Sequence, residues 1–116
     1  MAVVTSHALN SVDGSHAEGI AVRLTRLGSE RLSLFATCTD ASGRVSESVE
    51  MRDADATSVY QLVFDTTPYW AERIGSRPVS GFIEQIVLRF QMPDPAGTYH
   101  MPVILSPHGY SVWLSG

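Results

Sequence analysis

Two histidines and an arginine stand where an imidazole or a guanidinium is hard to explain as loop decoration. His7 lies inside the first strand-like run rather than in a turn. Arg44 directly follows the turn Asp40-Ala41-Ser42-Gly43. His100 sits in the next-to-last strand-like run. Alternation along Tyr99–Leu105 turns His100 to the face opposite Met101, Val103 and Leu105, and so outward, toward solvent or a partner subunit. Near neutral pH an imidazole can take a proton from water and return it to a departing nitrogen. A fixed guanidinium can hold a planar acceptor with two hydrogen bonds and stabilise a developing oxyanion. Together the three would form a hydrolytic site that needs no side-chain nucleophile. Spacing alone does not bring them together, and each histidine taken singly reads as a surface or hydrogen-bonded structural residue.

Other reactive side chains read as structural. Cys38 follows an alternating strand and is expected to be a small buried residue. Asp53 and Asp55 lie in a polar loop without the ligand run and glycine of a calcium loop. Gly14, Gly19 and Gly28 form no phosphate loop with a lysine. His7 and His100 could in principle share a zinc ion, but no motif supplies a third ligand, so no metal is expected.

The elements that would carry these residues are short strands separated by turn residues, the pattern of a sandwich or barrel. Met1–Leu9 reads as the first strand. Ile20, Val22 and Leu24 alternate with polar neighbours in a second, and Leu32, Leu34 and Ala36 in a third. Val45–Met51 is a weaker strand, and Val59–Phe64 places Tyr60, Leu62 and Phe64 on one face. One helix follows: Thr67 suits its cap, Pro68 its first position and Gly75 its end. Within it Trp70 and Ile74 are four apart and are expected to pack on a sheet. Phe82–Phe90 carries Ile86, Leu88 and Phe90 on one face with Ile83 and Val87 on the other, so both faces are expected to be covered. Tyr99–Leu105 and Tyr110–Leu114 close the chain. The fold class is all-β, about eight strands and one short helix.

Composition narrows the function. With 116 residues, 44% hydrophobic and 17% charged, the chain fits one globular domain and is too short for two. Its net charge is −4, and its eight cations are scattered arginines without a single lysine. Nucleic acid needs a positive stripe, so it is not expected as a partner. Nothing reaches the length of a membrane span and no signal peptide is legible. The lone Cys38 fits a reducing compartment, and the cytoplasm is expected.

Several pieces resemble a known family. Ser6-His7-Ala8-Leu9-Asn10, Thr39-Asp40-Ala41-Ser42-Gly43-Arg44, Tyr99-His100-Met101-Pro102 and Leu105-Ser106-Pro107-His108-Gly109-Tyr110-Ser111 look like the signatures of transthyretin-like proteins. Within that group they are nearer to the 5-hydroxyisourate hydrolases than to the hormone carriers. Tyr60-Gln61-Leu62-Val63-Phe64-Asp65 and the Tyr69-Trp70 helix extend the likeness over nearly the whole chain. The resemblance implies one transthyretin-like domain over residues 1–116, a prealbumin-like Greek-key sandwich of two four-stranded sheets with a short helix after the fifth strand. It implies a homotetramer, a dimer of dimers, and sites between the dimers.

The resemblance also assigns roles. His7, Arg44 and His100 match the catalytic residues of the enzymes, which use no cofactor or metal, and the carriers replace them. Trp113, Leu114 and Ser115 fall on the tail that lines the enzymes' site. That tail usually ends Tyr-Arg-Gly-Ser, whereas this chain has Trp113-Leu114-Ser115-Gly116, losing a cation. Asn10 stands where an aspartate is usual. The implied reaction is opening of a cyclic amide in an oxidised purine derivative, with 5-hydroxyisourate the leading small heterocyclic substrate. Activity is then expected to rise between about pH 6 and 8. Two alternatives stay open: an enzyme whose altered tail takes another heterocycle, which it hydrolyses, dehydrates or cyclises, and a non-catalytic binder that uses the channel between dimers.

Overall fold

Alternation decides the architecture. In the computed structural model, which describes residues 1–74 and 81–115, nine strands and one helix form two facing sheets. The elements are β1 (Ala2–Asn10), β2 (Ala21–Leu27), β3 (Leu32–Cys38), β4 (Arg44–Val49), β5 (Val59–Asp65), α1 (Thr67–Ile74), β6 (Gln85–Gln91), β7 (Thr98–His100), β8 (Val103–Ser106) and β9 (Gly109–Val112). One sheet runs β3-β2-β5-β6. The other runs β4-β1-β8-β9, with β7 also paired to β1.

The two expected four-stranded sheets are therefore present, with one strand position split in two. β7 pairs in parallel with Val3–Thr5 of β1, and β8 with Ala8–Asn10 of the same edge. The break falls at Met101-Pro102. Pro102 has no N–H to give the ladder, so pairing must lapse there. The chain is held across the gap by Met101 N donating to the Thr5 carbonyl at 2.9 Å and the Ser6 hydroxyl donating to the Met101 carbonyl at 2.7 Å.

Between the sheets lies one apolar layer. Val22 and Leu24 of β2, Tyr60, Leu62 and Phe64 of β5 and Ile86 of β6 meet Val4, Ala8, Val49, Val103 and Leu105 from the other sheet. Each large side chain so buried contributes about 1.5–3 kcal/mol, which fixes the sheets and hence the outer faces they present. Tyr69 and Trp70 of α1 join the core, and Ile74 packs against it.

Several boundaries differ from the sequence reading. The first helical bond runs from Trp70 N to the Thr66 carbonyl, so Thr66 takes the cap position expected of Thr67. Neither threonine caps with its side chain: Thr66 donates to the Ile83 carbonyl and Thr67 to that of Glu84, tying α1 to the approach of β6. Gly75, the expected helix end, lies outside the described residues. β6 begins at Gln85 rather than Phe82, and Val87 on its outer face is 43% exposed in the single chain. Cys38 is exposed, not buried. It ends edge strand β3, which shifts register against β2 between Leu24 and Thr25, so the alternation read from the sequence does not carry through.

Candidate functional site

The site forms on the outer face of β1. Ala2, Val4, Ser6, Ala8 and Asn10 point into the core, which leaves Val3, Thr5, His7 and Leu9 on the other side, half-buried. β1 lies inside its sheet, so both of its edges can supply neighbours. On the β4 edge His7 is the register partner of Arg44; on the β7 edge Thr5 is the partner of His100. Directly opposed residues share a face, so His7, Thr5, Arg44 and His100 converge on one patch. Three residues far apart in sequence are thus brought to one face of the sheet.

Local chemistry fixes each one. Arg44 is set by the turn before it. The Asp40 carboxylate accepts from Ser42 N and Arg44 N, both at 2.9 Å, and those two bonds hold it below the usual carboxylate range. Gly43 has φ of +72°, and its carbonyl accepts from Ala8 N at 2.7 Å. A Cβ there would meet the Ala8 carbonyl oxygen at 2.4 Å, so only glycine lets β4 start opposite His7. His100 is oriented through its Nδ1, which lies 2.8 Å from the Thr5 hydroxyl, leaving Nε2 for other partners.

The tail meets the same patch. Ser115 and His100 exchange both backbone hydrogen bonds, at 2.8 and 2.9 Å, so Ser115 lies beside His100. β9 stops at Val112 instead of running to Leu114. Trp113 is 51% exposed and Leu114 44%. The Asn10 departure has a structural reading. Its Nδ2 donates to the Tyr69 hydroxyl at 3.0 Å and its Oδ1 accepts from Val12 N at 2.8 Å, so it ties the end of β1 to α1 inside the core.

Electrostatics favour a neutral base. His7 lies below the ordinary histidine range, first because partial burial penalises the charged ring, then because Arg44, His16 and His100 each repel its proton. A backbone hydrogen bond at Ser42 works in the opposite direction without prevailing. His7 therefore stays unprotonated near neutral pH, able to accept a proton from water.

His16 and Thr5 are the site neighbours that sequence reasoning missed. Thr5 was legible from period-two alternation, two positions before His7. His16 was not, because the loop after β1 has no period. A bridge from His16 to Leu9, with Ala17 N donating to the Ala8 carbonyl, folds that loop back along β1. His16 Nδ1 then lies 3.1 Å from His7 Nε2. Among the described residues, no group of three His, Cys, Asp or Glu side chains is arranged to hold a metal ion.

Comparison with known proteins fits this geometry. The chain is 35% identical to the 5-hydroxyisourate hydrolase of Pseudomonas aeruginosa over 97% of its own length and 90% of that protein's. It superposes on the structure of the Klebsiella pneumoniae 5-hydroxyisourate hydrolase with a TM-score of 0.73 and 25% identity, covering all of both chains. The transthyretin of Sparus aurata gives a TM-score of 0.79 at 22% identity, covering 97% of this chain and 95% of that one, a likeness of fold. The model of the HIUase/Transthyretin family matches residues 4–114, and the chain belongs to that family.

Proposed function

We propose that this chain is a cofactor-free hydrolase that opens the cyclic amide of 5-hydroxyisourate, using His7, Arg44 and His100. The observation that carries the reading is the register of β1: one strand sets His7 against Arg44 on one edge and Thr5 against His100 on the other. The enzyme name borne by relatives such as the Pseudomonas aeruginosa protein selects the substrate. His7 and His100 orient the attacking water and His7 takes its proton. Arg44 grips ring oxygens and stabilises the oxyanion as the carbonyl becomes tetrahedral. When the C–N bond breaks, one imidazolium returns the proton to the ring nitrogen.

The working unit in this reading is a homotetramer of single domains spanning residues 1–116, with Trp113, Leu114 and Ser115 as the wall of each site. Ile104, Trp113 and Leu114, each at least 38% exposed, supply apolar surface beside the patch for a second copy to cover. A free, exposed Cys38 fits the reducing cytoplasm. Among the described residues no helix is long and apolar enough to cross a membrane.

The test is decay of freshly generated 5-hydroxyisourate, followed by ultraviolet absorbance. His7→Ala and His100→Ala should each lower turnover at least about 10²-fold with the assembly unchanged by size-exclusion chromatography. Wild-type rates in either variant defeat the assignment. The exposed, uncharged Leu114 favours a second reading, in which the site prefers a less anionic heterocycle. Leu114→Arg separates the two: it raises kcat/KM for 5-hydroxyisourate under the second reading and leaves it near wild type under the first.

A further inference from the structure

We propose that His16 is a positioning residue that shares a proton with His7 and carries it outward during turnover. The inference rests on the hydrolytic reading above but concerns a residue that reading does not use.

The geometry is that of a proton-sharing pair. His7 Nε2 and His16 Nδ1 are 3.1 Å apart, and the rings stack with centroids 5.2 Å apart at 25°. Two ring nitrogens facing each other at that distance hold one proton between them, since two would clash and none would leave opposed lone pairs. His16 is brought to this place by backbone pairing, not by chance of a long side chain. Its bridge to Leu9 and the bond from Ala17 N to the Ala8 carbonyl pin the loop on both sides of it.

The charges around His7 say which way the proton goes. Arg44 of β4, His100 of β7 and His16 of the loop all disfavour a positive His7 ring, while Asp40 of the turn before β4 is the neighbouring anion. Asp40 is occupied with two backbone donors. An imidazolium left at His7 after water is deprotonated would be half-buried and face Arg44, with the Ser42 backbone and the Asp40 carboxylate opposing that cost only in part. Passing the proton to His16, which is exposed, takes that charge off the half-buried His7 ring and into solvent contact. His7 becomes neutral again, and the same path in reverse returns a proton for the departing nitrogen.

Two substitutions separate proton sharing from simple support. His16→Phe keeps a stacked ring without a proton site. His16→Asn keeps an amide group near the Nδ1 position and can hold the hydrogen bond but cannot carry charge. The readouts are the imidazole titration of His7 by NMR and the pH profile of kcat/KM. In both variants the His7 titration should move to higher pH, because the repulsion from His16 is gone, and kcat should fall about tenfold. Restoration of the wild-type profile and rate by His16→Asn overturns the proposal, as does an unchanged His7 titration in His16→Phe. The NMR arm needs no substrate. A pair that titrates as described in a protein that fails to open 5-hydroxyisourate would count against the hydrolase reading and not against the pair.

Discussion

Gly43→Ala tests whether the turn before β4 sets the site. The residue sits at φ +72°, a left-handed conformation that costs alanine about 1–2 kcal/mol. Alanine also stiffens the unfolded chain, which offsets about 0.4–1 kcal/mol of that. The steric part is specific to this place. The new Cβ would lie 2.4 Å from the Ala8 carbonyl oxygen and 3.2 Å from Ala17 N, both backbone atoms. Reaching ordinary contact requires a shift of roughly 1 Å. That shift strains the Ala8 N to Gly43 carbonyl bond and the Ala17 N to Ala8 carbonyl bond, each worth about 0.5–1.5 kcal/mol. The sum is about 2–4 kcal/mol, or a fall in Tm of about 8–16 °C for a domain of this size.

Gly14→Ala is the internal control. Gly14 has a similar φ of +76°, yet a Cβ there meets nothing within 4 Å. It should lose at most about 1.6 kcal/mol, from backbone strain alone. Both variants are melted by circular dichroism at one fixed protein concentration, since assembly makes Tm concentration-dependent. Turnover is measured well below the lower Tm. Gly43→Ala should lose about 10²-fold in kcat/KM even when folded, because it displaces Arg44 from His7, and Gly14→Ala should lose almost none. The reasoning fails if the two variants melt within about 3 °C of each other and turn over alike.

Other outcomes follow from the same geometry. Because His7 is lowered from the ordinary histidine value of 6.5, its neutral, proton-accepting form persists to lower pH. The acidic limb of kcat/KM should therefore have its midpoint below 6.5 and be nearly flat above neutrality, an earlier rise than an unperturbed histidine gives. A midpoint above that value would remove His7 as the base. Arg44→Lys should cost about 10²-fold in kcat/KM with Tm nearly unchanged, since a point charge cannot reproduce a two-pronged grip; near-normal kinetics would mean Arg44 only steers.

Much of the site was legible because sheet geometry has a period of two. Placing His100 opposite Met101 needs only alternation and the apolar neighbours that mark the inside, whereas the weakly alternating first strand left the face of His7 to the structure. Arg44 was legible from the glycine turn that must precede it. What alternation cannot give is register. Which residue of β4 faces His7 depends on the Gly43 contact with Ala8, and which residue of β7 faces Thr5 depends on a pairing across most of the chain. His16 belongs to a loop whose path is set by two backbone bonds, and nothing in its own neighbours foretells them. The split at Pro102 was written in the sequence, since proline lacks a donor, but the run Tyr99–Leu105 reads as one strand until its partner is known. Cys38 failed for the same kind of reason: on an edge strand with a register shift, alternation loses its reference.

The pairing of β1 has a kinetic side. The Thr5 hydroxyl and the His100 ring that it orients are 95 residues apart in sequence, and β1 needs β7 and β8 to complete one of its edges. β1 is thus made well before the strands that satisfy its parallel edge. Until β7 and β8 emerge, its parallel edge is open to any extended chain nearby. Closure over such a span is slow, and it is the same event that assembles the histidines. Maturation of this protein and the appearance of its reactive patch should therefore coincide in a single late step.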